Sequence, residues 1–489
     1  MVPMRSIIWV MLFTCTFVLY MLRTNLSIII LAMVEPSAGV SNRTSSVPEC
    51  VALQQRSVNS EVSHVHSTPH YGVRYDWDTK MQGMMLGAYF WGFVVNGIPA
   101  GPLSERFGPR KCVAVSFLVS TFLTLVSPLA ASIRAELLIA SRFFIGLFAA
   151  LVYPACHGLI SKWAPPAEKG KFVSALLGGN LGTVITWPML GSVIENISWE
   201  WAFYITGIVV LLWSFAWIFL VFDHPDKHPW ISPEEKEYIN KSHSGTVSHK
   251  KRAPPYKQIS VSVPAWALVV AQFGNLWGLF FLMTAGPIYL STVLGFDLGR
   301  TGFLAALPYL ARMIAGFGFG AIGDFLLRRG LMSKTKIRKW FTVFSHIVPG
   351  LFLIIQTTVG CEVNWAIALI TLSLASNGAS TITNLQNAQD LAPNFAGSMY
   401  AIANCIGSTT GFISPLVVGH LTAERNGIYE WQIIFYIGAA VYIACGLFFI
   451  AFGSGEVQPW NYEEETDVGI SVGTVRGTDN KAFDSSTVD

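Results

Sequence analysis

The sequence predicts an all-α membrane protein with twelve transmembrane helices in two pseudo-symmetric six-helix halves. Three observations predict it. Hydrophobic residues make up 52% of the 489 residues and charged residues only 12%, about half the roughly 25% usual in soluble domains. So much apolar surface needs lipid as its solvent. Twelve apolar stretches each approach the ~20 residues that cross a bilayer. A weak internal repeat divides them six and six.

In chain order the stretches cover about 8–33, 82–103, 112–132, 137–160, 172–194, 201–222, 264–292, 302–325, 341–359, 364–388, 397–421 and 431–453. The first is longer than a signal peptide's apolar core, and no small-residue cleavage site precedes Glu35, so it reads as a retained helix. A long polar loop, 35–81, follows it. The polar interval 223–263 separates an N-terminal half, 1–222, from a C-terminal half, 264–453. Residues 454–489, with Glu463-Glu464-Glu465, read as a disordered tail. The repeat lies at the second-to-third helix junction of each half. Gly101-Pro-Leu-Ser-Glu105-Arg106-Phe-Gly108-Pro-Arg110-Lys111 occupies one junction, and Gly320-Ala-Ile-Gly323-Asp324 with Arg328-Arg329 occupies the other. Two related six-helix halves are the architecture of a carrier that rocks about a midplane site.

Basic residues orient the chain, because Lys and Arg accumulate in short cytoplasmic loops. The loops after the even-numbered stretches hold 19 of them; the short loops opposite hold only Arg134, Arg300 and Arg425. Both termini are expected in the cytoplasm, and loop 35–81 on the far side. There Asn42-Arg43-Thr44 is a glycosylation acceptor. Cys50 and Cys361 share that oxidising face, where either a disulfide or two separate thiols is open to them. His64, His66 and His70 lack the carboxylate or cysteine spacing of a metal site.

Several function classes drop out. With 33 Phe, 16 Trp and 15 Tyr the chain is not disordered, and a net charge of +3 makes no case for nucleic acid. Seven cysteines make no disulfide scaffold. No Walker loop, nucleophile elbow or dinucleotide fingerprint is present, so neither an enzyme nor a bound cofactor is expected. The partners expected are lipid and a small solute, with the monomer as the working unit.

Ionisable groups inside the bilayer are costly and need a reason. Away from their ends the stretches contain three, Arg23, Arg142 and Arg312, while every nearby acid lies at a stretch end. The interior therefore carries surplus positive charge, which an anionic substrate would neutralise. Arginine's planar fork suits a carboxylate or phosphate. Arg23, with Tyr20 and Asn25 beside it, is the strongest functional candidate; Arg142 and Arg312 read either as additional charge or as structural anchors. Arg142, Gly146, Ala149, Tyr153 and His157 recur at spacings of three or four, which places them on one helix face.

Gly101 to Lys111 resembles the loop signature of the major facilitator superfamily. More specific stretches are Tyr20-Met-Leu-Arg23-Thr-Asn25-Leu, Tyr153-Pro-Ala-Cys-His157, Lys162-Trp-Ala-Pro-Pro-Ala-Glu168, Leu307-Pro-Tyr309-Leu and Asp390-Leu-Ala-Pro393. Together they resemble the anion:cation symporters, the family of sialin, the vesicular glutamate transporters and the type I sodium–phosphate cotransporters. The resemblance implies the major facilitator fold and a secondary active carrier of small anions, inorganic phosphate or carboxylates of the sialic acid type. Arg23 matches the family's anion-binding arginine, Tyr20 a pocket tyrosine and His157 a histidine implicated in transport. Asn275 and Tyr309 are weaker substrate candidates. Gly101, Glu105, Arg106, Gly108, Arg110 and Asp324 match a conformational latch. Two departures stand out. Ile145 and Ala149 occupy positions where relatives carry acids linked to proton coupling, and Asn275 stands where the glutamate transporters place a second arginine.

The resulting expectation is cation-coupled symport, with Na+ or H+ as the coupling ion. The plasma membrane is favoured over lysosomes or vesicles, because no acidic dileucine or tyrosine sorting signal is evident. The alternatives are a non-transporting anion sensor and a membrane-embedded transferase.

Overall fold

The computed structural model describes residues 3–35, 49–50, 71–165, 168, 172, 174–244, 254–393 and 395–462. Asn42, the histidines at 64, 66 and 70, and the acidic run at 463–465 lie outside them.

Twelve long helices run through the described residues. They are α1 Met4–Met33, α2 Thr79–Gly97 continued by Ala100–Phe107, α3 Pro109–Ile133, α4 Ala135–Ala149 with Val152–Trp163, α5 Gly178–Asn196 and α6 Trp199–Leu220. After the inter-half segment come α7 Val263–Thr292, α8 Leu298–Arg328, α9 Lys334–Gln356, α10 Val363–Leu391, α11 Ala396–Leu421 and α12 Ile428–Phe452. Ten are each long and apolar enough to cross a membrane. The others, α2 and α5, are diluted by glycine, asparagine and threonine because they lie between the halves rather than against lipid.

Local chemistry sets many of the ends. Asp78 caps α2 by accepting from Met81 N, and Asp297 caps α8 by accepting from Arg300 N. The α2–α3 turn needs Gly108 at a φ of +89°. Pro109 starts α3, whose Arg110 N donates to Asp223 Oδ1 at 2.8 Å. Inside the spans, Ser116, Thr124, Thr206 and Ser214 each donate to the carbonyl four residues back, which satisfies the hydroxyl without a partner helix. α2 and α4 pack backbone to backbone: a Cβ on Gly146 would overlap the Tyr89 carbonyl, and one on Gly92 the Phe143 carbonyl.

Two expectations shift. The inter-half segment is partly helical, at Pro233–Ser244 and Tyr256–Val261, and Glu235 caps α1 by accepting from the Met4 and Arg5 amides at 2.8 and 2.9 Å. The tail does not become irregular at 454. Residues 454–462 pack back on the C-terminal half, with Gly455 N donating to Thr335 Oγ1 and Gln458 N to Leu391 O.

The halves touch unequally at their two ends. At the end bearing loop 35–81, Thr79 Oγ1 donates to Gly419 O at 2.9 Å and Gly299 N to Glu195 Oε1 at 2.8 Å. Cys50 and Cys361 are joined there, their Cα atoms 5.3 Å apart. A Cβ on Gly83 would lie 2.6 Å from Pro415 O. At the opposite end, which carries the basic loops, a Cβ on Gly101, Gly318 or Gly320 would meet nothing within 4 Å. Close packing of the halves thus explains Gly83 and Gly87, which face Pro415 and Phe412, whereas no neighbouring atom constrains Gly101 or Gly320.

Candidate functional site

Arg23 sits two-thirds of the way along α1 and is 6% exposed. Its guanidinium is caged by five rings: Tyr20 at 5.0 Å, Tyr89 at 5.1 Å, Phe90 at 5.5 Å, Phe93 at 5.0 Å and Phe280 at 5.3 Å. These come from α1, α2 and α7, so both halves contribute. Cation–π contacts are worth about 0.5–2 kcal/mol each and offset part of the desolvation of a buried cation. Nε has no hydrogen-bond partner. No ion pair among the described residues involves Arg23. A cation held by rings rather than by a carboxylate keeps its charge for a ligand.

Arg142 of α4 has a different task. Nη1 donates to Leu22 O at 3.1 Å and Asn25 Oδ1 at 3.0 Å, and Nη2 to Arg23 O at 3.2 Å. All these partners belong to α1. Arg142 therefore clamps the stretch of α1 that carries Arg23, and takes up the Asn25 oxygen in doing so. The spacing-based face of α4 is not continuous either. The helix is interrupted at Ala150–Leu151, just before Pro154, whose ring denies it a backbone donor. Arg142, Gly146 and Ala149 are buried, Tyr153 is half-buried and His157 is exposed. Cys156 lies 3.7 Å from Cys15, so His157 is level with a point eight residues before Arg23, roughly 12 Å of helix rise away.

Toward the open end, Tyr20, Tyr153 and Tyr400 are half-buried around the same space. Tyr309 is not part of that lining: its hydroxyl donates to Leu279 O at 2.7 Å, and its ring meets Trp187 edge-on at 5.2 Å. Asn275 is buried on α7, and its Oδ1 has no partner. Arg312 on α8 donates to Asn377 and Ser380 of α10.

The latch residues divide. Arg110 donates from Nη2 to Ile218 O and from its backbone to Asp223, and its guanidinium lies 4.1 Å over the Phe222 ring. Its anchor is thus the end of α6. Asp324 is exposed, as are Glu105 and Arg106. In the C-terminal half the ion pair is instead Arg338 with Asp390, at 2.7 Å. Asp223, Arg338, Asn377 and Tyr400 escape sequence reasoning; Asn377 alone carries a signal, as an amide inside an apolar run. Among the described residues no cluster of three His, Cys, Asp or Glu side chains suits a metal.

Twelve helices, closed at one end, splayed at the other and enclosing an acid-free arginine centre, define a secondary active carrier of small anions. The model of the Major Facilitator Superfamily matches residues 12–415. Sialin from Ovis aries is 36% identical over 446 residues, covering 91% of this chain and 88% of its own. Vesicular glutamate transporter 1 from Xenopus tropicalis is 32% identical over 400 residues, covering 80% and 69%. A bacterial homolog of the human lysosomal transporter Spinster, solved in an inward-facing and occupied conformation, superposes with a TM-score of 0.63 at 12% identity over 92% of this chain and 97% of that one. The chain belongs to the major facilitator superfamily, within the anion:cation symporter family.

Proposed function

We propose that this carrier takes inorganic phosphate or a small carboxylate such as sialic acid from one side of the membrane to the other by alternating access, with Arg23 as its principal anion contact. The observation that carries the reading is the ring cage around Arg23, which holds a buried cation without neutralising it. Tyr20 flanks the anion. Arg142 and Asn25 position Arg23 through the α1 backbone, Asn275 offers a buried, unpartnered Oδ1 on α7, and His157 sits on the access path. With both termini in the cytoplasm, the splayed basic end faces inward, and the joined cysteines lie on the oxidising side. The working unit is the monomer, at the plasma membrane, and the drive is a Na+ or H+ gradient entering by a route other than Ile145 and Ala149. Gly101, Glu105, Arg106, Gly108 and Arg110, with Asp324, form the face that closes when the carrier turns outward.

Counterflow in proteoliposomes tests this. Vesicles loaded with phosphate, sialic acid, glutamate or urate receive the labelled form outside, without an ion gradient. Exchange of at least one anion is expected, and its loss in Arg23→Ala. Undiminished exchange in that variant would remove Arg23 from the site; no exchange of any anion by folded protein would favour a sensor.

A further inference from the structure

The interior arginines differ in what holds them. Rings surround Arg23, α1 oxygens clamp Arg142, and Asp390 neutralises Arg338. Arg312 is held only by neutral groups: Nε donates to Asn377 Oδ1 at 2.9 Å and Nη2 to Ser380 Oγ at 3.3 Å. The amide is itself aimed. Asn377 Nδ2 donates to Ser345 O at 3.0 Å, so its oxygen is the group left for the arginine. Ser345 stands in a π-turn, Val343–Ile347, where carbonyls fall out of the usual helical register. The packing beneath is tight, since a Cβ on Gly378 would lie 2.8 Å from Arg312 O.

Neutral partners fix a guanidinium without consuming its charge. Arg312 is half-exposed, and Tyr20 of the opposite half and Tyr400 lie near it. The same Tyr20 ring lies 5.0 Å from the Arg23 guanidinium, and Tyr400 neighbours Arg23 as well. The two cations therefore approach the space beside Tyr20 and Tyr400 from opposite halves. Resting on the Arg23 site proposed above, we propose that Arg312 is a second anion-binding residue and that the carrier selects small dianions over monoanions of the same shape. A single negative charge satisfies one arginine and leaves the other uncompensated; two charges satisfy both. Having one cation on each half also lets the anion draw the halves together, which an alternating-access cycle requires of its substrate.

Titration of the purified full chain, followed by tryptophan fluorescence, tests it with two shape-matched pairs: succinate against butyrate, and sulfate against perchlorate. Wild type is expected to bind the dianion of at least one pair about tenfold or more tightly, the scale of one charge-assisted hydrogen bond. Arg312→Gln should weaken that dianion far more than its monoanion and so abolish the preference, and Arg312→Lys should retain part of it. Arg23→Ala should weaken both members. Equal binding within both pairs by wild type overturns the proposal, as does an equal loss for both members in Arg312→Gln. If Arg312→Gln does not fold, loss of all preference in a folded Arg312→Lys overturns it too. If Arg23→Ala binds as wild type does, it is the underlying Arg23 site that fails.

Discussion

Glu195 of α5 accepts the backbone N–H of Gly299 at 2.8 Å, so a carboxylate of one half sits on the first turn of α8 in the other. A negative charge there meets the positive end of the helix dipole, worth about 0.3–1 kcal/mol at an exposed site. The contact exists only while this end is closed.

Glu195→Ala is therefore expected to populate the state open at that end roughly two- to fivefold more than wild type, the range that interaction energy implies. Spin labels placed beside Thr79 and Gly419 would report the change as a longer distance. An unchanged distance distribution would make the contact incidental.

Arg338 is 3% exposed and donates to both oxygens of Asp390, to Ile382 O and to Gln386 Oε1. Removing the acid alone leaves an uncompensated buried cation, which costs about 3–5 kcal/mol. Asp390→Ala should lower thermal stability in detergent sharply, whereas Asp324→Ala, at an exposed position, should not. Arg338→Met combined with Asp390→Leu should recover most of the loss.

Gly146→Leu should prevent folding, because its Cβ is directed at the Tyr89 backbone, which cannot move aside as a flexible side chain can. Gly320→Ala should leave fluorescence size-exclusion profiles unchanged, since no atom lies near. Equal behaviour of the two variants would refute the packing described for α2 and α4.

His228, in the inter-half segment, is buried against the end of α6. Nδ1 accepts from Trp230 N and Nε2 donates to Leu220 O, both at 3.2 Å. Burial pushes its pKa below the ordinary imidazole value of about 6.5. Between the folded and unfolded values the unfolded form binds more protons, so this packing is full above about 6.5 and weakens as pH falls below it. Proteolysis within 223–244 should accelerate from pH 7.5 to pH 5, and His228→Phe should flatten that dependence.

Much of this was legible in the chain. Arg23 announces itself because a charge inside an apolar run must have a purpose, and the twelve spans follow from bilayer thickness. What could not be read depends on atoms distant in sequence. Arg142 looks like a spare binding charge until α1 offers it three oxygens. Asn25 gives its oxygen to Arg142, which its sequence neighbours do not reveal, and keeps an unpartnered Nδ2. Tyr309 points to a carbonyl thirty residues away rather than to the cavity. Asp223 could not be tied to Gly108 and Arg110, because only the fold brings the end of α6 under the α2–α3 turn. The emptiness around Gly101 and Gly320 reflects which conformation the chain occupies, and a sequence encodes every state of the cycle at once.

The Cys50–Cys361 bond has a mechanical meaning. Cys50 N donates to Val293 O, and Glu49 accepts from Ile428 N and pairs with Arg425, so residues 49–50 of the first loop are moored to the C-terminal half. Its two roots, Glu35 and Tyr75, hydrogen-bond to each other on the N-terminal half. The second arm is already held to the N-terminal half at Tyr71, whose O accepts from Trp199 N. Between root and mooring lie residues 36–48 and 51–70, 13 and 20 residues, with contour reaches of about 45 and 70 Å. A hawser of that length leaves the short travel of a rocking carrier unhindered. It keeps the two hulls from drifting apart while leaving each free to roll. Cys50→Ser with Cys361→Ser should accordingly spare the turnover rate of folded protein and lower the temperature at which the halves separate, measured as loss of a monodisperse peak on heating.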